Sequence, residues 1–254
     1  MPTPTDFPTG APLWIDLNST DVEASKAFYG GLFGWTSFTA GPDFGDYVTF
    51  SLDGRQVAGM VENSEPDTIR DFWTVYLETD DAETTAQAVT GAGGFVIMGP
   101  HQVGPMGTML LANDADRAVV GAWQRDEMRG FQAVAEPGAP AWFELHTTAF
   151  HDSVQFYQQA FGWETATMSD TPEFRYAQLK VGDDFYAGIM DASAYWPAGD
   201  PAQWMVYVNV ADTDKAIARA VELGGAIVDE PADTPFGRLA TISDATGALV
   251  KVIS

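Results

Sequence analysis

The sequence predicts an α+β protein assembled from four β-α-β-β-β modules, two to a domain, and three observations carry that prediction. The chain repeats itself: residues 12–35 read PLWIDLNSTDVEASKAFYGGLFGW and residues 140–163 read PAWFELHTTAFHDSVQFYQQAFGW, with ten of 24 positions identical at an offset of 128. Each repeat offers only one helical pattern per three or four strand patterns, too few helices for a doubly wound parallel sheet. Neither a GxGxxG nor a GxxxxGKS/T phosphate loop is present.

The elements follow in order. Residues 13–18 alternate as a strand, and Ser19-Thr20-Asp21 offers an N-cap. Val22, Phe28-Tyr29 and Leu32-Phe33 recur at helical spacing until Gly34 stops the helix. Residues 46–52 and 56–61 read as a hairpin turning at Asp53-Gly54. The order then recurs, with a strand over 73–79, a helix over 81–91 closed by Gly91-Ala-Gly-Gly, and strands over 94–98, 107–112 and 118–123. The second copy returns Tyr47 and Ala58-Gly59 as Tyr176 and Ala187-Gly188, Trp73 through Tyr76 as Trp204 through Tyr207, and Asp114-Ala115 as Asp244-Ala245. This divides the chain into an N-terminal lead (1–11, proline-rich and expected to be flexible), a first domain (12–124), a polar linker (125–139) and a second domain (140–254).

Composition narrows the function. With 36 Asp+Glu against 12 Lys+Arg the formal charge is −24, and a surface of that sign repels nucleic-acid phosphates and anionic lipid. The charge divides as 5 basic minus 19 acidic (−14) through residue 127 and 7 minus 17 (−10) beyond it, so it belongs to both halves. The absence of cysteine removes disulfides, thiolate nucleophiles and sulfur-ligated metals, and three histidines leave little for an imidazole site. No apolar run reaches a membrane-spanning length and no signal segment is seen, so a cytoplasmic location is expected.

The strand–helix signature ending in FGW, the later strands running into Asp80-Asp81 or Ala211-Asp212, and the closing Asp114-Ala115 and Asp244-Ala245 segments resemble the vicinal-oxygen-chelate superfamily. That superfamily includes glyoxalase I, bleomycin-resistance proteins and extradiol dioxygenases. The likeness covers 12–124 and 140–253 and is nearest to tandem two-domain actinobacterial members labelled glyoxalase-like or hydroxylase. It implies that each pair of modules forms a cup-shaped, mostly antiparallel sheet with flanking helices and a ligand in the concave face. It also implies metal ligands at four positions per domain. By spacing these fall on Trp14, the stretch Met60 to Glu62, Thr74 and Gly121, and on Trp142, Met190 to Asp191, Met205 and Lys251. Tryptophan and glycine offer no lone pair to a hard cation, methionine is too soft and lysine is protonated, so no metal and no cofactor is expected.

Strand alternation then selects the residues that face the ligand. They are Trp14, Asp16 and Asn18 on one first strand and Trp142, Glu144 and His146 on the other. Tyr76, Trp123, Met205, Tyr207 and Lys251 join them from later strands. Large aromatics with a few polar groups suit a planar, largely apolar ligand, and the acidic surface favours a cationic one. The expected function is metal-free binding of a small aromatic metabolite or antibiotic, in sequestration, self-resistance or support of a biosynthetic pathway. The alternative is a lyase, isomerase or hydroxylase acting on an aromatic or α-keto substrate, with Glu144 and His146 as acid and base. Small-molecule binding with no nucleic-acid or membrane partner is expected. A monomer suffices, because one chain supplies both domains. The bland reading is that Trp14 and Trp142 simply fill the cups and that His146 is a hydrogen-bonded strand histidine.

Overall fold

The computed structural model describes residues 7–197 and 199–254, apart from the Asp43 side chain. It contains four successive modules. The first is β1 (Pro12–Ser19), α1 (Val22–Phe33), β2 (Thr36–Thr39), β3 (Val48–Leu52) and β4 (Arg55–Glu62). The second is β5 (Phe72–Glu78), α2 (Ala82–Gly91), β6 (Phe95–Val103), β7 (Gly107–Asn113) and β8 (Val119–Arg125). The third is β9 (Pro140–Thr147), α3 (Phe150–Phe161), β10 (Thr165–Thr171), β11 (Phe174–Val181) and β12 (Asp184–Asp191). The fourth is β13 (Gln203–Asn209), α4 (Thr213–Glu222), β14 (Ala226–Thr234), β15 (Gly237–Ser243) and β16 (Leu249–Ile253).

Two eight-stranded mixed sheets result, ordered β2-β3-β4-β1-β5-β8-β7-β6 and β10-β11-β12-β9-β13-β16-β15-β14. Each module pairs its first and last strands in parallel and its remaining neighbours antiparallel. The α+β class and the four-module plan agree with the sequence reading. That reading passed over β2, whose four residues are all exposed and so carry no inside–outside alternation. It also ended β6 five residues early. Two register shifts in the β6–β7 pairing let this largely exposed strand run on through Pro100.

Compactness groups the modules differently from the sheets. One compact unit comprises the described residues through Leu13 with Val75–Gly130 and Phe143–Trp204; the other comprises Trp14–Thr74, Phe131–Trp142 and Met205–Ser254. Within each unit the tyrosine of one helix meets the same device. In one, Tyr157 of α3 donates to Asp114 at 3.0 Å while the Trp204 indole donates to the Tyr157 hydroxyl at 2.9 Å. In the other, Tyr29 of α1 donates to Asp244 at 2.9 Å and Trp73 donates to Tyr29 at 3.3 Å. Both aspartates fold their own turn as well, accepting from Asp116 and Ala118 or from Thr246 and Ala248 backbone N–H groups. The Asp-Ala segment of the repeat is therefore a latch between modules, with every polar atom of a fully buried tyrosine accounted for.

Helix starts follow the capping rule at Asp21, Asp81 and Asp212, each of which accepts from a backbone N–H three residues on. Ala149 lacks that oxygen; there the Thr147 hydroxyl accepts from the Ala149 N–H and bonds Ser153 at 2.9 Å.

The lead expected at 1–11 lies outside the described residues through residue 6, and from Phe7 onward the chain is packed rather than loose. Phe7 and Ala11 are buried, and the Gly10 carbonyl accepts the Trp163 indole at 2.9 Å. Trp35 does the same to Gly138 at 2.6 Å, inside the stretch read as linker. Gly10-Ala11-Pro12 and Gly138-Ala139-Pro140 keep the 128-residue offset, so lead and linker both end in a piece of the repeat that receives the FGW tryptophan. Glycine is required there: φ is +82° and +86°, and a Cβ would fall 2.8 Å from Phe161 O or 2.9 Å from Phe33 O.

Candidate functional site

The first strands of the two sheets carry equivalent carboxylates in different settings. On β1, Asp16 Oδ1 accepts from the Trp14 indole at 3.0 Å and from the Tyr47 hydroxyl at 2.5 Å, while Trp14 also lies 2.9 Å from Tyr47 Oη. Trp14 is further covered by Phe131, with ring centroids 5.7 Å apart. Gly59 makes this triangle fit, because a Cβ there would sit 1.7 Å from Tyr47 Oη. Trp14 and Asp16 are buried and Tyr47 half-buried, and the indole N–H can only donate. Asn18, next along that face, is half-buried.

On β9 the same construction uses Glu144 and Tyr176, whose hydroxyl donates to Oε2 at 2.6 Å over Gly188. Here the second partner is His146, with Nε2 2.8 Å from Glu144 Oε1. A carboxylate only accepts, so Nε2 carries the hydrogen and Nδ1 becomes the acceptor. Nδ1 lies 3.2 Å from Tyr195 Oη, which also approaches Met190 Sδ at 3.7 Å. Tyr195 and Trp196 present their edges to the His146 ring at centroid distances of 6.0 and 5.9 Å. Glu144 and His146 are buried, whereas Tyr195 is 54% exposed, so a hydrogen-bonded chain runs from the sheet to solvent. Sequence reading found no group to orient His146. Glu144 orients it and Tyr195 completes the chain, from a turn 49 residues away that no periodicity marks. The Tyr47/Tyr176 recurrence was the signal for the carboxylate's partner.

The other predicted residues fall into separate places. Tyr76 lies against Gly121, where a Cβ would come within 2.1 Å of its ring, and its hydroxyl meets Met109 Sδ at 3.6 Å. Trp123 is buried and donates to the Met128 carbonyl at 3.3 Å. Lys251 donates to Thr241 at 3.1 Å and sits 5.6 Å over the Tyr207 ring. Met205 is buried and Trp142 is half-buried. Glu78, on the Tyr76 face of β5, pairs with Arg125 at 3.0 Å, and burial pushes its carboxyl up.

The family-implied metal positions do not fit a cation. Trp14 turns its only nitrogen to Asp16, and Gly121 is roofed by Tyr76. Lys251 is occupied with Thr241, and Asp191 is tied to Arg175 at 2.8 Å and to Ser193. Among the described residues no three His, Asp or Glu side chains come together as a ligand set. No helix among them is long and apolar enough to cross a membrane.

Comparison with known proteins agrees with this architecture. The Glyoxalase/Bleomycin resistance protein/Dioxygenase superfamily profile matches residues 12–121 and 139–252. The chain belongs to that superfamily. Over 98% of its length it is 36% identical to the anthracycline biosynthesis protein DnrV of Streptomyces peucetius, covering 94% of that protein. It is 34% identical to the putative glyoxylase CFP32 of Mycobacterium bovis, covering 100% of this chain and 98% of that one. Among solved structures, the Mn(II)-bound glyoxalase from Novosphingobium aromaticivorans superposes with a TM-score of 0.67 at 14% identity, over 96% of this chain and 81% of that one. The 2,3-dioxygenase LapB from Pseudomonas sp. KL28 gives 0.66 at 9%, over 96% and 92%. These last two share the fold.

Proposed function

We propose that the protein binds a planar, largely apolar aromatic metabolite, without a metal or cofactor, and that it does so in its second half. The observation that carries this reading is the contrast between the two carboxylate clusters. Asp16 is held by Trp14 and the half-buried Tyr47, with Asn18 at the histidine's position, whereas Glu144 connects through His146 to the exposed Tyr195 ring and its neighbour Trp196. Aromatic edges around one buried polar chain suit recognition of a flat ligand with a single polar group. Full-length similarity to anthracycline biosynthesis proteins favours support of a biosynthetic pathway over sequestration or self-resistance. The −24 charge would draw a cationic aromatic ligand from a distance. A cytoplasmic monomer is part of the same reading.

Quenching of tryptophan fluorescence by a panel of planar polycyclic probes tests it. Saturable quenching that weakens about tenfold in Trp142→Ala is expected, and saturable binding that this change leaves untouched contradicts the site.

A second reading has its own support. The 2.8 Å contact of His146 with Glu144 is the arrangement of an oriented base, and a metal-independent lyase, isomerase or hydroxylase would use Glu144 and His146 as acid and base. Turnover of an aromatic or α-keto substrate by chelator-treated protein, abolished by His146→Gln, would favour it.

A further inference from the structure

We propose that Tyr195 is the ligand-facing end of a proton relay through His146 to Glu144, and that the molecule it serves carries a phenolic or enolic hydroxyl. This deepens the binding reading of the second half and rests on it.

The geometry supplies each link. Tyr176 at 2.6 Å and the His146 Nε2–H at 2.8 Å both donate to Glu144, so two hydrogen bonds stabilise its carboxylate form in a buried position. That carboxylate fixes the Nε2–H tautomer and leaves His146 Nδ1 facing Tyr195 Oη at 3.2 Å. When a ligand hydroxyl meets Tyr195, its O–H bond breaks and the proton passes to Tyr195 Oη. The original Tyr195 proton moves to Nδ1. One proton has then left the ligand and arrived on the imidazole, no electron pair has been gained or lost by oxidation, and Tyr195 is unchanged. The products are a ligand oxyanion near an imidazolium, with the Glu144 carboxylate on the imidazolium's far side.

The relay also selects its ligand. A tyrosine passes protons for groups whose acidity is near its own, about 10 on the pKa scale. An aliphatic alcohol is far too weak an acid to give up its proton. A carboxylic acid arrives already ionised and meets both Glu144 and the acidic surface. Phenols and enols lie between. At the positions of Glu144, Tyr176 and His146 the first half has Asp16, Tyr47 and Asn18, and an amide does not take up and pass on a proton as an imidazole does.

Two measurements test the relay. The first needs no ligand: 15N NMR of the three histidines, with His146 assigned by its loss in His146→Gln, should show Nε2 protonated and Nδ1 free of hydrogen near neutral pH. Protonated Nδ1 opposite unprotonated Nε2 overturns the relay. The second uses 1,8-dihydroxyanthraquinone, whose visible absorption reports its ionisation, with the bound fraction followed in the same samples by tryptophan quenching. The bound probe should ionise at a pH at least one unit below its value in buffer, a tenfold shift. Tyr195→Phe, a change at an exposed position, should abolish that shift, as should His146→Gln. A bound probe that ionises as it does in buffer, or a shift that survives in both variants, overturns the proposal. A probe that fails to bind overturns the binding reading and the ligand class together, while the tautomer judges the relay separately.

Discussion

Asp16 and Glu144 are the same residue position before and after duplication, yet they stand in different hydrogen-bonded settings. Each sits on the first strand of its sheet, each accepts a tyrosine hydroxyl, and each depends on a glycine that lets that tyrosine approach. The difference is the next partner. Trp14 closes the first cluster with a group that can only donate, and His146 opens the second with a group that can donate on one side and accept on the other. Duplication conserved the carboxylate, the tyrosine and the glycine, while His146 stands in the second copy where the first has Asn18.

Mutations can break the comparison at several levels. The largest effects should come from the glycines. Gly59→Ala and Gly188→Ala would put a Cβ 1.7 and 2.1 Å from a tyrosine hydroxyl, and each should lower stability by about 2–3 kcal/mol in urea titration. Next come Tyr47→Phe and Tyr176→Phe, which each remove one donor from a buried carboxylate. A loss of about 1–2 kcal/mol is expected in both, with ligand binding affected only by Tyr176→Phe.

The Asp114 latch carries a pH response. Burial raises Asp114 to about 6, against an ordinary value of 3.8. Because the folded value is the higher one, the native state holds the extra proton between those limits, and stability rises as the pH falls through 6. Lowering the pH from 7 to 5 should therefore stabilise the protein by about 1 kcal/mol through this group. Asp114→Asn should flatten that part of the melting-temperature profile. The smallest effect should be Tyr195→Phe, which is exposed and should change stability by less than about 0.5 kcal/mol while altering the ionisation of a bound phenol.

The module plan was legible because its signals are local and repeated: paired aromatics on one helix face and a glycine stop return 128 residues later, and a capping aspartate stands at three of the four helix starts. The carboxylates at 16 and 144 were legible for the same reason, since alternation on a strand fixes which side chains share a face. What escaped the sequence was set by distance. Tyr195 reaches His146 from a turn, and the Asp114 and Asp244 latches join segments 43 and 215 residues apart. The Gly-Ala-Pro segment before each first strand looked like a polar lead or linker because its partner, the FGW tryptophan of the other copy, is 103 residues away in one case (Gly138 to Trp35) and 153 in the other (Gly10 to Trp163).

Calorimetric titration with 1,8-dihydroxyanthraquinone, comparing wild type with a first-half variant (Trp14→Phe, Tyr47→Phe) and a second-half variant (Glu144→Gln, His146→Gln), tests the division of labour most directly. One ligand per chain is expected, with the first-half variant binding as the wild type does and the second-half variant at least tenfold weaker. Two ligands per chain, or binding lost with the first-half changes and kept with the second, would contradict it.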